Sequence, residues 1–265
     1  MRPVFLLSVL ATIIITASCS PGGSPMAKPD AIASAQTISN ALANPARSDA
    51  DRERDGREHP LDVLTLAGFG AGMTIADIFG GGGYYSEILS GVVGPGGHVL
   101  LVNNPPYDAY AKKDLTPRLA GGRLTNVDYR LVPSEAMNLG TATLDGAMIV
   151  MSYHDLYVAD PENGWPAVDA AQFIDQIVNA LKPGAHLLIV DHSARAGTGS
   201  SAAQTIHRID EEFAKSDFAA HGLTLVATSD ILRNPADDRS KHVFNKEIRS
   251  KTDRFVQVYR KPLTR

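Results

Sequence analysis

The side chains best able to move a proton stand together in segment 152–157, Ser-Tyr-His-Asp-Leu-Tyr, which follows the apolar stretch 144–151. The imidazole of His154 has an ordinary pKa near neutrality, so it can act as a general base toward a hydroxyl or an amine. Asp155 can orient that imidazole, and a tyrosine can form a pocket wall. We therefore predict catalytic roles for His154, Asp155 and Tyr153. The alternative is a loop that caps the next helix.

The same region offers two alternative sets of metal ligands. Asp155 and Asp191 can hold Mg²⁺ or Ca²⁺ by oxygen ligation, which would suit a metal-dependent hydrolase. His154, His192 and His207 can hold zinc. Scattered histidines more often form hydrogen bonds at the surface or in the core. The leading prediction is therefore that there is no metal site, with Asp155 and Asp191 as the alternative.

A second candidate site is the run Gly80–Gly83, which follows the apolar segment 73–79 and precedes a predicted helix. Glycines let the backbone approach a ligand and leave a helix N-terminus facing it. The dinucleotide-binding pattern G-x-G-x-x-G does not fit, because Tyr85 and Ser86 stand where its third glycine would be.

These segments are embedded in strands and helices that alternate from about residue 59 onward. Predicted strands cover 73–79, 98–102, 127–132, 144–151, 186–190, 223–227 and 254–259. Predicted helices include 61–66, 84–89, 172–181 and 204–218. Such alternation predicts a single α/β domain over residues 57–265, with a mostly parallel, doubly wound sheet. Ligands then bind beyond the carboxyl ends of the strands, where both candidate sites fall.

The glycine run resembles motif I of class I S-adenosylmethionine-dependent methyltransferases. In that family an acidic residue is followed by glycine at plus two, plus four and plus six. Counting from Asp77, these positions hold Phe79, Gly81 and Gly83, so two of the three glycines match. The resemblance implies a Rossmann-like, seven-stranded-type sheet and S-adenosyl-L-methionine as cofactor.

Other segments support the same resemblance, which covers about residues 45–262. Segment 93–98 resembles the turn that precedes the family's second strand. Segment 181–191 resembles the end of a helix followed by the family's fifth strand. Segments 232–237 and 252–256 resemble a subgroup of predicted methyltransferases that often carry export signals.

The resemblance implies a cofactor site at the carboxyl edge of the sheet. Its implied residues are Asp77, Phe79, Gly80, Gly81, Gly83, Asn103, Asn104, Glu135 and Ser152. Asn103 is a departure, because the family usually has an acidic residue there that binds both ribose hydroxyls. A neutral amide makes each such hydrogen bond weaker by about 1 kcal/mol.

Segment 104–107 spells Asn-Pro-Pro-Tyr, the motif that amino-group methyltransferases carry after their fourth strand. Here it follows the second predicted strand. We therefore expect it beside the ribose or adenine rather than at the reacting methyl group.

The N-terminus predicts export. Residues 4–15 are almost wholly apolar, too short to span a bilayer, and are followed by small residues and Cys19, the only cysteine. This resembles a bacterial lipoprotein signal over residues 1–19, with lipid attached to Cys19; a cleaved signal peptide or a buried apolar start are the alternatives. Residues 20–56 predict a flexible leash and an N-terminal helix, and the charged run 47–57 predicts a solvated helix face.

Composition narrows the classes of function. With 25 Lys and Arg against 29 Asp and Glu, the net charge is −4, which predicts no nucleic-acid partner. The leading hypothesis is a methyltransferase acting on a small-molecule acceptor, lipid-anchored in the bacterial cell envelope on the periplasmic side. The rival is a non-catalytic envelope lipoprotein that binds a nucleoside-like or other small ligand. Export favours the rival, because little S-adenosylmethionine is met outside the cytoplasm.

Overall fold

The computed structural model describes Met1 and residues 29–263, which fold around a seven-stranded sheet. The predicted lipidation residue Cys19, and the predicted signal apart from Met1, lie outside the described residues. Among the residues described, no helix is long and apolar enough to cross a membrane.

The strands are β1 Thr74–Ile78, β2 His98–Asn103, β3 Val127–Leu131, β4 Leu144–Val150, β5 Leu181–His192, β6 Thr224–Ser229 and β7 Arg254–Arg260. The α-helices are α1 Pro29–Leu42, α2 Asp49–Glu58, α3 Pro60–Ala67, α4 Tyr84–Val93, α5 Pro105–Leu119, α6 Ala170–Ala180, α7 Ala203–Ile206 and α8 Glu211–Ala220. Single 3₁₀ turns cover Ala120–Gly122, His154–Tyr157 and Pro161–Asn163.

The strand order is β3-β2-β1-β4-β5-β7-β6, and β7 runs antiparallel to both of its neighbours. The strands β3, β2, β1, β4 and β5 pair in parallel. One core lies between the sheet and helices α1, α3 and α4, and the other between the sheet and helices α6 and α8. The predicted doubly wound α/β fold is confirmed.

Local signals explain why the helices flanking the site begin where they do. Asp169 accepts a hydrogen bond from the backbone of Gln172 at 3.0 Å and caps α6. Asn104 accepts one from the backbone of Tyr107 at 3.0 Å and caps α5, whose first turn holds two prolines. The first turn of α5 therefore starts at the carboxyl edge of β2.

The helix predicted over 204–218 is two helices. Between α7 and α8, His207 adopts a left-handed backbone with φ of 54°. The break turns this segment toward the end of β4, where the imidazole of His207 reaches Asp155. Local sequence favours one continuous helix, so tertiary contacts decide the break.

Most residues of the charged run 47–57 are exposed, as a solvated helix face predicts, but Arg47 and Asp51 are buried in ion pairs. Arg47 is 3% exposed and forms a two-pronged ion pair with Asp55. Asp55 also accepts a hydrogen bond from the hydroxyl of Tyr84 on α4 at 2.6 Å. Helix α2 is therefore held to the domain through Asp55 and through the charge pairs of Asp51 and Glu58.

Arg118 on α5 pairs with two carboxylates, and its replacement by Met should destabilise the protein. Its guanidinium contacts Asp51 at 2.8 Å and Glu87, both buried. Arg118→Met leaves those carboxylates short of a cation, so we expect a loss of about 3–5 kcal/mol in the free energy of unfolding in urea. The control Arg130→Met removes an exposed pair with Asp128 and should cost less than about 1 kcal/mol. Equal losses would contradict the role of Arg118.

Candidate functional site

Three residues at the carboxyl edge of the sheet have strained backbones. Phe79 follows β1, Met151 follows β4 and His207 follows α7, with φ of 52°, 55° and 54°. A left-handed conformation costs a non-glycine residue on the order of 1 kcal/mol, and such residues often cluster at functional sites. These three positions lie at the edge where both predicted sites meet.

The glycine loop turns tightly against the strands below it. A Cβ at Gly80 would lie 2.5 Å from Asp77 Oδ2 and 2.5 Å from a methyl group of Leu101, so glycine is required there. Gly81 and Gly83 have φ of 56° and 77°, in the region that favours glycine.

Asp77 is buried beneath this loop and accepts a hydrogen bond from the Ser86 hydroxyl at 2.6 Å. Burial raises the pKa of Asp77 to about 6, against the opposing effects of the Ser86 hydrogen bonds and the charge of Arg54. Its carboxyl group therefore supports the loop from below.

Because this pKa lies above its ordinary value of 3.8, protonated Asp77 stabilises the fold. That stabilisation is fully present below about pH 4 and is lost as the pH rises through about 6. Asp77→Asn has no such proton to lose. Between pH 4 and pH 7, the free energy of unfolding of the wild type should therefore fall by roughly 2–3 kcal/mol relative to that of Asp77→Asn. Urea unfolding across this range checks the difference, and parallel pH profiles would contradict it.

The upper side of the glycine loop is covered by the chain itself. The Asn103 amide accepts a hydrogen bond from Gly81 N at 2.9 Å and donates one to Gly81 O at 3.0 Å. Arg118 Nε donates to Gly82 O at 2.6 Å. Helix α5 packs so closely that a Cβ at Gly82 would lie 2.8 Å from the Cβ of Asp114. The groups expected to meet a ligand are thus bonded within the protein.

Aromatic rings fill the space beside the loop. Phe79 stacks on Tyr107, with ring centroids 4.4 Å apart and an interplanar angle of 11°. Phe173 packs against Phe79 at 4.9 Å, and Trp165 meets Tyr107 edge-on at 5.4 Å. The cavity left between these rings and Asp155 is about 10 Å³, room for one water molecule at most.

A larger groove of about 540 Å³ opens further along the edge, over the ends of β2 and β3. It is lined by Asn104, Pro105, Pro106, Pro133, Ser134, Glu135, Gly164, Pro166, Ala167, Val168, Asp169 and Gln172. Asn104 donates a hydrogen bond to the Ser134 hydroxyl at 3.0 Å and joins the two strand ends. Glu135, which the resemblance implies as a cofactor contact, is exposed and lines this groove.

At the ends of β4 and β5, His154 lies between two carboxylates. Its Nδ1 is 2.7 Å from Asp191 Oδ1, and its Nε2 is 3.1 Å from Asp155 Oδ1. Burial acts to lower the pKa of His154, but the charges and hydrogen bonds of Asp191 and Asp155 raise it to about 10. Each ring nitrogen of His154 thus faces a carboxylate, so neither is free to accept a proton from a bound acceptor in this arrangement.

Asp155 collects partners from three parts of the chain. Its Oδ1 is also 3.3 Å from His207 Nδ1, and its Oδ2 accepts a hydrogen bond from the Tyr107 hydroxyl. Burial acts to raise the pKa of Asp155, but His154 and these partners hold it well below its usual range. Tyr107, set aside in the Asn-Pro-Pro-Tyr segment, is therefore part of this cluster.

Two further histidines lie next to the cluster. The His192 ring is 5.7 Å from that of His154, and its Nδ1 is 2.7 Å from Thr252 Oγ1. The His242 ring is 4.9 Å from that of His207. Neither His242 nor Thr252 followed from the sequence, because both come from the irregular segment before β7.

Two predicted roles do not match this geometry. The Tyr153 hydroxyl donates to Asp217 on α8 at 2.5 Å, so Tyr153 contacts the core rather than the cluster. Asp155 and Asp191 bind two different nitrogens of the His154 imidazole and so do not form a shared oxygen site for Mg²⁺ or Ca²⁺.

Ser152 is buried at the end of β4, and its carbonyl accepts a hydrogen bond from Asp155 N at 3.3 Å.

Comparisons with known proteins identify the fold. No family model and no curated protein matches the chain. Among solved structures, an S-adenosylmethionine-dependent methyltransferase from Aquifex aeolicus is 19% identical, with a TM-score of 0.54 over 85% of this chain and 97% of that one. An arsenic(III) S-adenosylmethionine methyltransferase from Chlamydomonas reinhardtii is 13% identical, with a TM-score of 0.54 over 85% of this chain and 73% of that one.

One of the similar structures is named for an activity other than methyl transfer. The [4+2]-cyclase SpnF is 15% identical, with a TM-score of 0.55 over 88% of this chain and 93% of that one. At such identities the likeness concerns architecture alone. The strand order, the antiparallel β7 and these neighbours together show that the chain has the class I methyltransferase fold.

Proposed function

We propose that the protein is an S-adenosylmethionine-dependent methyltransferase that acts on a small-molecule acceptor. The observation that carries the proposal is the groove of about 540 Å³ over the carboxyl ends of β2 and β3, at the same edge of the sheet as the glycine loop after β1. In open α/β sheets, ligands bind at this edge. The methyltransferase architecture of the neighbours supports the same assignment.

The groove suits the nucleoside half of the cofactor. Pro105, Pro133 and Pro166 supply apolar faces for a base. The exposed carboxylate of Glu135 can accept hydrogen bonds from ribose hydroxyls or an exocyclic amine. Ser134 adds a hydroxyl on the same side, so the polar and apolar groups match a nucleoside.

The other half of the cofactor does not fit the arrangement seen. The Asn103 amide makes two hydrogen bonds to the backbone of Gly81. The Phe79–Tyr107 stack leaves a cavity of only about 10 Å³ beside the loop. When bound, the cofactor supplies an activated methyl group. With the side chains in these positions, the reacting half of the cofactor has no space beside the glycine loop. The buried His154 faces two carboxylates and is not available to remove a proton from the acceptor.

A nucleoside-binding protein without methyl transfer is the second candidate. The closed glycine loop favours it, because the open groove accepts a nucleoside while Phe79 fills the adjoining space.

Calorimetric titration of the full chain separates the two candidates. For a methyltransferase we expect micromolar binding of S-adenosylmethionine and S-adenosylhomocysteine, and binding of adenosine at least about tenfold weaker, a difference of about 1.4 kcal/mol. Equal affinity for S-adenosylmethionine, S-adenosylhomocysteine and adenosine would favour the second candidate. NAD serves as a control ligand. Absence of binding by a folded protein would overturn both.

A matched pair of variants places the ligand. Glu135→Gln should weaken binding about tenfold, because a charge-assisted hydrogen bond is lost. Glu53→Gln makes the same chemical change at an exposed position on α2 and should leave binding unchanged. If both variants bind like wild type, the ligand does not occupy the groove. Product formation with a panel of small acceptors then tests the transfer itself.

We also propose export with lipid attached to Cys19, which the apolar segment before it supports. Cys19→Ser should move the protein from the membrane fraction to the soluble fraction of the cell envelope, because the lipid has no other attachment thiol. Fractionation and immunoblotting measure the change. Equal membrane retention of variant and wild type would contradict lipidation.

A further inference from the structure

Three atoms of metal-ligand type meet at the carboxyl ends of β4 and β5. His154 Nε2 lies 3.1 Å from Asp155 Oδ1, and His207 Nδ1 lies 3.3 Å from the same oxygen. All three atoms lie within 4.8 Å of one another. Ligands about 2.1 Å from a common ion, at octahedral or tetrahedral angles, are themselves about 3.0–3.4 Å apart. The two distances to Asp155 Oδ1 thus match those between neighbouring ligands of one ion.

We propose that His154, Asp155 and His207 bind a divalent transition-metal ion through these atoms. Two imidazoles and one carboxylate form a donor set suited to Zn²⁺ or Fe²⁺, and the set leaves positions open for water or another oxygen ligand. The ligand set differs from both sets that sequence spacing indicated. Asp155 replaces His192 in the histidine set, and Asp191 is not a ligand.

The hydrogen bonds around the three ligands fit the same role. Asp191 Oδ1 lies 2.7 Å from His154 Nδ1 and can hold the proton on that nitrogen, so the ion takes the place of the proton on Nε2. The Tyr107 hydroxyl donates to Asp155 Oδ2, which leaves Oδ1 for the ion. Histidine ligands commonly donate their second ring nitrogen to a carboxylate in this way, which fixes the tautomer and the ring orientation.

His207 is brought to the site by the break between α7 and α8. Its left-handed backbone is held by a hydrogen bond from its own N–H to Ala203 O at 3.0 Å. Its side chain is 25% exposed, against 13% for Asp155 and 3% for His154, so an ion can enter from this side. An ion that binds the imidazole would offset the cost of the strained backbone.

The proposed centre adjoins the groove. Asp155 lines the small cavity beside the aromatic stack, and that cavity shares Asn104, Pro106, Pro166 and Val168 with the groove. An ion at Asp155 Oδ1 would therefore lie beside this cavity, where one water molecule can complete its coordination. The metal site stands on its own contacts and does not depend on S-adenosylmethionine binding.

Metal titration of the full chain tests the proposal without any nucleoside present. After dialysis against EDTA, we expect Zn²⁺ to bind one ion per chain with a dissociation constant at or below about 1 µM, counted by elemental analysis. Co²⁺ should give a visible absorption band, and Mg²⁺ should not compete, because nitrogen ligands suit it poorly. A wild-type chain that retains no Zn²⁺ would overturn the proposal.

His207→Gln is the decisive variant, because its side chain is partly exposed and the fold should survive. We expect Zn²⁺ affinity to fall at least 100-fold, and Zn²⁺ should no longer raise the melting temperature. His221→Gln is the matched control, since His221 Nδ1 lies 2.7 Å from Asp175 Oδ1 and also faces Asp217. If His207→Gln and the control bind Zn²⁺ equally well, His207 is not a ligand.

Two variants test the surrounding hydrogen bonds. Asp191→Asn should weaken Zn²⁺ binding about 10- to 100-fold. Tyr107→Phe leaves the ligands in place and should weaken binding about tenfold, which keeps the test available if Asp191→Asn does not fold. Unchanged Zn²⁺ affinity in a folded Asp191→Asn, or in Tyr107→Phe, would contradict the supporting role.

Discussion

Asp191→Ala is expected to lower the free energy of unfolding by about 3–5 kcal/mol, a large part of the stability of an ordinary domain. The fully buried carboxylate accepts hydrogen bonds from His154 N at 2.8 Å and His192 N at 2.7 Å and also pairs with His154 Nδ1. Alanine leaves these buried groups without an acceptor and opens a small cavity. Urea unfolding, monitored by circular dichroism, measures the loss.

Two comparisons make this result specific. Asp191→Asn keeps the side-chain volume and one oxygen, so its loss should be smaller than that of Asp191→Ala. Asp175→Ala removes the partner of His221 at an exposed position and should cost less than about 1 kcal/mol. Similar losses for Asp191→Ala and Asp175→Ala would show that the buried network does not hold the β4 and β5 ends together.

Phe79→Gly should have the second large effect, with opposite signs for stability and for cofactor binding. Removal of the buried ring from its stack with Tyr107 and Phe173 should cost about 3 kcal/mol, partly offset by relief of the left-handed backbone. The same change restores the motif glycine and frees space beside the loop. We expect the affinity for S-adenosylmethionine to rise at least about tenfold, by about 1.4 kcal/mol.

Phe173→Ala separates these two effects. It removes the other ring of the stack and should destabilise the protein by a comparable amount, while it leaves the ring at position 79 in place. Calorimetric titration of both variants should therefore show tighter binding for Phe79→Gly alone. If Phe79→Gly gains no affinity, the ring does not guard the cofactor position, and the covering of the loop by Asn103 and α5 becomes the main obstacle.

The fold followed from local patterns. Apolar stretches of strand length alternate with amphipathic stretches, and this alternation depends on neighbouring residues alone. Asp77 was assigned to a strand and Gly80–Gly83 to a tight turn before a helix, and β1, the turn and α4 lie there. The parallel core and the edge where side chains converge then follow from general rules of connection.

The partners of individual side chains could not be predicted in this way. Asn103 was expected to face a ribose, yet its amide binds Gly81, because the β2 end and the loop after β1 are adjacent only in the folded sheet. Arg47 was expected in solvent, yet it is buried against Asp55. In both cases the partner depends on which surfaces meet, and spacing along the chain does not encode this.

The sequence by itself determined the sheet, the glycine turn and the set of polar residues that reach one edge, because these depend on periodicity and on backbone preferences. Tertiary structure alone decided that Tyr107 and His207 join Asp155 while Tyr153 turns toward Asp217. His207 leaves a helix that its neighbours favour, and Phe79 adopts a left-handed backbone. The surrounding packing and the hydrogen bonds of buried polar groups offset those local costs, and both act only once distant segments are in contact.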